Sequence, residues 1–180
     1  MFDVDRFVAD CRAALRETSA AALQEVVARA ISDPTALMKA LGEPDGPMST
    51  VLYRGDDLTV LNLVWAPHHW TLPHNHNTRA VIGMYGGREN NIFWRRKPNE
   101  PGRVEAAGAK DLGTGDVTVL GRDIIHSVIN PLGKCSGAIH VYDGNFFAPG
   151  RSQWDAEHLC EAPYDPATVS PMFEGARRGR

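Results

Sequence analysis

Cysteine is scarce in this sequence. Of the 180 residues only three are cysteines, namely Cys11, Cys135 and Cys160. An odd number of widely spaced cysteines without C-x-x-C spacing indicates neither a disulfide framework nor a redox motif. We therefore expect incidental thiols that stay reduced, as in a cytoplasmic protein.

Long apolar runs and an excess of positive charge are also lacking. No apolar stretch approaches the roughly 20 residues of a membrane span, so we expect no membrane association. Asp3, Asp5 and Asp10 interrupt the N-terminal segment, where a secretory signal would have to be basic and then apolar. The 19 lysines and arginines face 22 acidic residues, for a net charge of -3. This balance argues against a generic nucleic-acid binder.

The N-terminal part of the chain has a helical pattern. Apolar residues recur at helical spacing over residues 2–41. Asp33-Pro34 is typical of a helix start, and Gly42 is typical of a helix end. We expect residues 1–42 to form helices that cover one side of a sheet.

From about residue 48 to residue 147 the pattern changes to short apolar or alternating segments separated by turn residues, which predicts β-strands. The segments are 50–53, 58–65, 79–85, 91–97, 116–120, 128–130 and 138–142. Many short strands at regular spacing are typical of a sandwich or a barrel. We expect residues 148–180 to wrap this barrel as a tail, with one helical turn near residues 155–159. The chain is long enough for one domain, so residues 1–180 are expected to form a single one.

Histidines are the first candidates for a functional site. His74 and His76 are two residues apart, and on a β-strand such residues point to the same face. Neutral imidazoles on one face can hold a single metal ion. A third histidine, His126, lies further along, between apolar segments. The alternative for an isolated His-x-His pattern is a pair of surface histidines at a strand edge.

These residues resemble the two motifs of the cupin superfamily. The first motif reads His74-Asn75-His76 here, with Gly83 downstream. The second motif matches Gly115, Gly121, Asp123, His126 and Asn130. The resemblance covers roughly residues 50–151. It implies a mainly β fold, a cupin double-stranded β-helix (jelly-roll barrel) with N-terminal α-helices.

The glutamate ligand of the first cupin motif is missing, because residues 79–81 (Arg-Ala-Val) fill its region and none of them can bind a metal. A cupin with three histidine ligands and no carboxylate resembles the thiol dioxygenases, namely cysteine dioxygenase and 3-mercaptopropionate dioxygenase. The resemblance implies that His74, His76 and His126 bind Fe(II). It also implies that a small carboxylate-bearing thiol reacts with O2 to give its sulfinic acid. Three neutral imidazoles leave a divalent metal its full charge, which favours an anionic ligand such as a thiolate.

Two further features agree with this resemblance. Trp65 stands nine positions before His74, as in that family. His140-Val141-Tyr142 resembles the Ser-x-His-x-Tyr hydrogen-bond relay beside the iron. Tyr142 and His140 are therefore the candidate catalytic residues.

Two arginines are candidates for binding the substrate carboxylate, which a planar guanidinium can bind through two hydrogen bonds. Arg151 falls where the mercaptopropionate enzymes place such an arginine. Arg54 lies near the position of the corresponding arginine in cysteine dioxygenases. If both line the pocket, a dicarboxylate thiol such as mercaptosuccinate becomes a candidate substrate.

The chain departs from the family at two positions. Ala138 occupies the serine position of the relay, so its third member is absent or supplied otherwise. Val81 occupies the position of the cysteine that animal cysteine dioxygenases crosslink to tyrosine, so Tyr142 is expected to be unmodified.

Two other functions remain open. One is a cupin metalloenzyme of different chemistry, such as a diketone dioxygenase or an isomerase. The other is a small-molecule-binding cupin that catalyses nothing. Three imidazoles also accept nickel or zinc. The expected partners are the thiol and O2. The protein could also form a homodimer, but no exposed stretch of the sequence identifies an interface.

Overall fold

The computed structural model describes residues 1–17 and 20–169 of the chain. The helices are α1 (Val4–Leu15), α2 (Ala20–Ile31), α3 (Pro34–Leu41) and α4 (Pro166–Val169). The strands are β1 (Met48–Arg54), β2 (Thr59–Trp65), β3 (His74–Asn75), β4 (Arg79–Gly86), β5 (Arg88–Arg96), β6 (Val104–Gly113), β7 (Val117–Leu120), β8 (Ile125–Ile129), β9 (Ser136–Asp143), β10 (Ser152–Trp154) and β11 (Glu161–Pro163). Within these residues no helix is long and apolar enough to cross a membrane.

The predicted capping of the third helix is confirmed, and the first helix is capped in the same way. The Asp3 carboxylate accepts a hydrogen bond from the backbone N–H of Arg6 at 2.8 Å. The Asp33 carboxylate accepts one from the backbone N–H of Ala36 at 3.0 Å. Each contact satisfies a helix N–H that has no partner in the first turn. The third helix ends at Gly42, whose φ of +95° suits a residue without a Cβ.

The strands form two antiparallel sheets. The first has the order β1-β2-β9-β4-β7, and the second has the order β11-β10-β3-β8-β5-β6. Apolar side chains from both sheets meet in one buried cluster, so the sheets pack face to face. The expected fold class is confirmed: a mainly β jelly roll preceded by α-helices.

The N-terminal helices cover the outer face of the first sheet. Val27 and Ile31 of α2 belong to one buried cluster with Val81 and Val141 of the sheet. The approach is close, because a Cβ built on Gly83 would lie 2.5 Å from Cγ1 of Val27. Gly83 therefore lets α2 pack directly on β4, which leaves the inner face of the sheet for the site.

Strand pairing brings distant residues to one end of the space between the sheets. β3 pairs with β8 so that His74 lies directly opposite His126. In the first sheet, β9 places His140 between Leu61 of β2 and Ile82 of β4. Because side chains alternate along a strand, His140 and Tyr142 share the inner face of β9.

Four strands were not predicted from the sequence. β6 is exposed over most of its length and lies at a sheet edge, so it lacks the alternation that marks a half-buried strand. β3 has only two residues. β10 and β11 lie in the predicted tail and extend the second sheet. The helical turn expected near residues 155–159 was wrong: residues 156–158 form a turn, and the Asp155 carboxylate accepts backbone N–H groups there.

Candidate metal centre

Three histidine nitrogens converge at the inner end of the barrel. The Nε2 atom of His76 lies 3.3 Å from Nε2 of His74 and 3.1 Å from Nε2 of His126. The three side chains form a group whose ligand atoms all lie within 4.8 Å of one another. All three histidines are buried. The predicted set His74, His76 and His126 is thus brought together in space.

The other ring nitrogens show how two of these imidazoles are protonated. Nδ1 of His74 lies 2.9 Å from the carbonyl oxygen of Leu72. Nδ1 of His126 lies 2.7 Å from Oδ1 of Asn91. Both acceptors require an Nδ1–H donor, and a neutral imidazole then has its lone pair on Nε2. These second partners fix each ring in the tautomer that binds a metal.

The donor set fits a divalent transition metal. Lone pairs on His74 and His126 point to the same small space as Nε2 of His76, an arrangement that a shared cation stabilises. Metal–nitrogen bonds of about 2.0–2.1 Å place neighbouring ligand nitrogens about 3.0–3.4 Å apart, and the two distances from Nε2 of His76 lie in this range. Burial lowers the pKa of His74 to about 3, and Arg151 adds to this effect. Burial also lowers the pKa of His76 and of His126 well below the usual value.

Tyr142 and His140 lie beside this cluster. The Tyr142 oxygen is 3.2 Å from Nδ1 of His140. The Tyr142 ring stands edge-on to His76, with centroids 5.1 Å apart, and packs on Phe146 at 4.2 Å. Burial raises the pKa of Tyr142, although Arg151 lowers it in part. The phenol therefore keeps its proton, and its ring is held next to a candidate metal ligand.

Arg151 is a buried cation in the same cavity. Its Nε donates to the carbonyl oxygen of Asn75 at 2.9 Å, and its Nη1 donates to that of Phe146 at 3.2 Å. Its guanidinium carbon lies 3.7 Å from the ring centroid of Tyr164. Burial lowers the pKa of Arg151, but a guanidinium stays charged in a protein. Its buried Nη2 has no hydrogen-bond partner among the described residues, which keeps Arg151 a candidate for binding an anionic ligand.

Arg54 lines the same cavity but differs from Arg151 in its surroundings. It is exposed, and its guanidinium carbon lies 4.4 Å from the ring centroid of Phe147. The cavity has a volume of 680 Å³, and both arginines line it together with the three histidines, His140 and Tyr142. The two substrate-binding candidates therefore share one cavity with the candidate metal centre.

The structure agrees with one expectation about the relay and changes another. Ala138 offers no hydroxyl, and Ser136 does not replace it, because its Oγ donates to Oδ1 of Asn130 and accepts from the N–H of Arg88. Val81 belongs to the core under the N-terminal helices, on the sheet face away from Tyr142. The expectation that Val81 fills a position beside that tyrosine was wrong, because the strand alternates and Ala80 is the residue paired with Tyr142.

The sequence interpretation missed one residue of the site, the buried carboxylate of Glu89. Trp65 donates to its Oε2 at 2.8 Å, and Asn91 donates to its Oε1 at 2.9 Å. Nε2 of His140 lies 3.8 Å from Oε2. Burial alone would raise the pKa of Glu89, but the His140 ring and these donors together hold the pKa below its usual value. A sequence signal did exist, since Glu89 and Asn91 are two apart and share a face of β5.

Comparison with known proteins gives little beyond the fold. No protein-family model matches the chain, and no curated protein matches it in sequence. Solved structures that resemble it include oxalate decarboxylase from Bacillus subtilis at pH 4.6, with 21% identity and a TM-score of 0.44 over 54% of this chain and 24% of that one. A study of the Mn(II) centres of the same enzyme gives 21% identity and a TM-score of 0.42 over 52% of this chain and 23% of that one. The chain spans only about a quarter of these structures, so the interpretation of the site rests on its own residues.

Proposed function

We propose that this protein is a non-haem iron(II) thiol dioxygenase that converts a small carboxylate-bearing thiol to its sulfinic acid. The observation that supports this best is the content of one cavity. It combines three neutral histidines without a ligating carboxylate, a protonated tyrosine and a buried arginine with an unused N–H group. The resemblance to thiol dioxygenases links these residues to a single reaction.

The metal site selects for an anionic substrate. Iron(II) held by His74, His76 and His126 would supply the redox chemistry that dioxygen needs. The three ligands are neutral, so the site carries the full charge of the ion and favours a thiolate over a neutral group. Other three-histidine chemistry, such as that of a diketone dioxygenase or an isomerase, would use the same ligands but would not need a carboxylate-binding cation.

Arg151 supplies that cation. Its guanidinium is held by two backbone carbonyl oxygens and two aromatic rings, so its direction is fixed before a ligand arrives. A carboxylate bound to its free Nη2 would bring the thiol of a short substrate toward the histidines. Arg54 could bind a second carboxylate in the same cavity, which would make a dicarboxylate thiol such as mercaptosuccinate a suitable substrate.

Tyr142 and His140 control a proton near the reacting sulfur. The Tyr142 hydroxyl stays protonated in its buried position. It donates this proton to Nδ1 of His140 when no substrate is bound, and it can rotate the proton toward a bound thiolate. His140 orients that hydroxyl through Nδ1. The apolar and aromatic lining, including Leu61 and Phe146, excludes water from the reacting groups.

The overall reaction balances without another cosubstrate. One thiol and one O2 give one sulfinic acid, with both oxygen atoms bonded to sulfur, and sulfur is oxidised by four electrons. Oxidation at this level stops one step before the sulfonic acid.

Oxygen uptake tests the proposal. The protein would be loaded anaerobically with iron(II), analysed for metal, and given O2 with cysteine, cysteamine, 3-mercaptopropionate or mercaptosuccinate. We expect uptake with a carboxylate-bearing thiol, loss of metal in the variant His76→Ala, and no loss in the variant His158→Ala of an exposed histidine. Iron-loaded protein that consumes no O2 with any of these thiols would contradict the proposal. Protein that takes up no transition metal would favour a binding protein without catalytic activity.

A further inference from the structure

Glu89 is a carboxylate in an unusual place. It lies on β5 with 0% of its surface exposed, yet it belongs neither to the three-histidine group nor to the cavity lining. Burying a charged carboxylate is costly unless other groups satisfy it. Among the described residues, the one ion-pair partner within 4.0 Å is His140, and no lysine or arginine is that close. Glutamates on a protein surface are explained by their contact with water, and this explanation does not apply to Glu89.

Donors alone surround this carboxylate. The indole Nε1 of Trp65 can only donate, and it lies 2.8 Å from Oε2. The side-chain amide of Asn91 donates to Oε1 at 2.9 Å. Two donors on two oxygens suit an ionised carboxylate, since a carboxylic acid would have to donate from one of them. Glu89 is thus a fixed negative charge inside the barrel.

One branch from Glu89 leads to the metal centre. A metal on Nε2 of His126 requires the proton to be on Nδ1, which then donates to Oδ1 of Asn91 at 2.7 Å. This contact fixes the orientation of the Asn91 amide, so its NH2 group must point toward Glu89. Through Asn91, the carboxylate therefore favours the metal-binding tautomer of His126.

The other branch leads to the Tyr142 hydroxyl. Nε2 of His140 is buried without a hydrogen-bond partner among the described residues, and it faces Oε2 of Glu89 at 3.8 Å. This separation is too long for a hydrogen bond, but the negative charge of the facing carboxylate favours a proton on Nε2. On the other side of the same ring, Nδ1 contacts the Tyr142 oxygen at 3.2 Å.

We propose that Glu89 is a positioning residue that joins these two branches and orients both the metal ligand His126 and the His140–Tyr142 pair. It takes the structural place of the missing third member of the relay, since Ala138 has no hydroxyl. The inference depends on the proposed metal site but not on the identity of the thiol. Glu89 contacts neither substrate nor metal and acts through Asn91 and His140.

Replacing Glu89 by glutamine would break one branch in either orientation of the new amide. If its NH2 group faces Asn91, the Asn91 amide must turn over and present its NH2 group to Nδ1 of His126, which disfavours the metal-binding tautomer. If the NH2 group faces Trp65 and His140, two donors oppose each other and Nε2 of His140 loses the negative charge that it faces. Glu89→Asp keeps the charge and should restore much of the wild-type behaviour.

The test compares Glu89→Gln and Glu89→Asp with wild type in the absence of substrate. Cobalt(II) affinity is measured by competition with a coloured chelator, and the cobalt absorption spectrum reports ligand geometry. Nitrogen-15 NMR of histidine in the metal-free protein reports which nitrogen of His140 is protonated. Tyr85→Phe is the control, because it removes a buried hydrogen bond to Asn62 on the opposite sheet face.

We expect His140 to carry a proton on Nε2 in the wild-type protein. We expect Glu89→Gln either to lower cobalt affinity about tenfold or more or to move the His140 proton to Nδ1. Glu89→Asp should lie close to wild type, and Tyr85→Phe should change neither readout.

An unprotonated Nε2 of His140 in the wild type would overturn the proposal, even if Glu89→Gln does not fold. Folded Glu89→Gln protein with unchanged affinity, spectrum and tautomer would also overturn it. Neither readout uses a thiol, so failure here is distinct from failure of the proposed activity.

Discussion

The ring of Tyr142 stands edge-on to the ring of His76, with centroids 5.1 Å apart and planes at 88°. This contact places a protonated phenol against a candidate metal ligand. In the proposed reaction, the hydroxyl of that phenol is the group of β9 that acts on the substrate.

Removing the Tyr142 hydroxyl should slow turnover without emptying the metal site. In Tyr142→Phe the ring contacts with His76 and Phe146 remain, and the contact to His140 is lost. Positioned proton donors contribute about 10²–10⁴-fold, so we expect kcat to fall about 100-fold or more. Steady-state kinetics and metal analysis check this, with Tyr85→Phe as the control. A kcat within about threefold of wild type would show that the hydroxyl has no role in the reaction.

Arg151 should determine affinity for the substrate carboxylate more strongly than Arg54 does. A hydrogen bond to a charged group is worth about 1.5–3 kcal/mol, so Arg151→Gln should raise KM about 10–100-fold. Arg54 is exposed and screened by solvent, so Arg54→Gln should raise KM only a few-fold for a monocarboxylate thiol and more for a dicarboxylate thiol. Titrations of both variants with both substrate types test this. Unchanged affinity in both variants would show that neither arginine binds the substrate carboxylate.

His69 should make the stability of the fold depend on pH. Burial lowers the pKa of His69 to about 4, below the value of about 6.5 expected in the unfolded chain. As the pH falls, His69 therefore binds a proton in the unfolded chain before it does so in the folded protein. The stability that neutral His69 allows above pH 6.5 is lost as the pH falls toward 4. The shift corresponds to about 3 kcal/mol.

Urea denaturation at about pH 7.5 and at about pH 4 measures this loss. His69→Gln should lose about 3 kcal/mol less than wild type between the two conditions, because the glutamine does not titrate. His68→Asn, at the neighbouring exposed position, is the matched control. Equal losses in the wild type and in His69→Gln would show that other groups cause the acid sensitivity.

Gly137 should tolerate no side chain. A Cβ at this position would lie 2.5 Å from Cε2 of Tyr85, which is itself buried and hydrogen-bonded to Asn62. Overpacking of this kind costs about 1–3 kcal/mol, so Gly137→Ala should lower the free energy of unfolding by about that amount. Gly108→Ala places its Cβ in open space and is the control. Chemical denaturation of both variants provides the comparison, and equal stabilities would be inconsistent with this packing.

Sequence reasoning predicted the parts of the site that have a local signature. His74 and His76 are two residues apart, as are His140 and Tyr142, and strand alternation alone puts each pair on one face. The capping of α3 by Asp33 is equally local. Whether those faces meet depends on the pairing of β3 with β8 and of β9 with β2 and β4, for which the resemblance to known motifs supplied the topology.

Glu89 could not be predicted in the same way. A glutamate in a polar stretch after two glycines is expected on the surface, because an isolated buried carboxylate is unfavourable. Its burial depends on donors from Trp65 and a nearby imidazole from His140, which are 24 and 51 residues away in the chain. Only the folded sheets bring these groups together. β6 was missed for a related reason, since an exposed edge strand needs no apolar alternation.

The most direct test of the proposed function is the origin of the oxygen atoms in the product. Iron-loaded protein would react with a carboxylate-bearing thiol under heavy-isotope O2, and mass spectrometry would follow the sulfinic acid. We expect a sulfinate whose two oxygens both come from O2, formed in a one-to-one ratio with O2 consumed. A disulfide product, or a sulfinate with oxygen from water, would contradict thiol dioxygenation by this site.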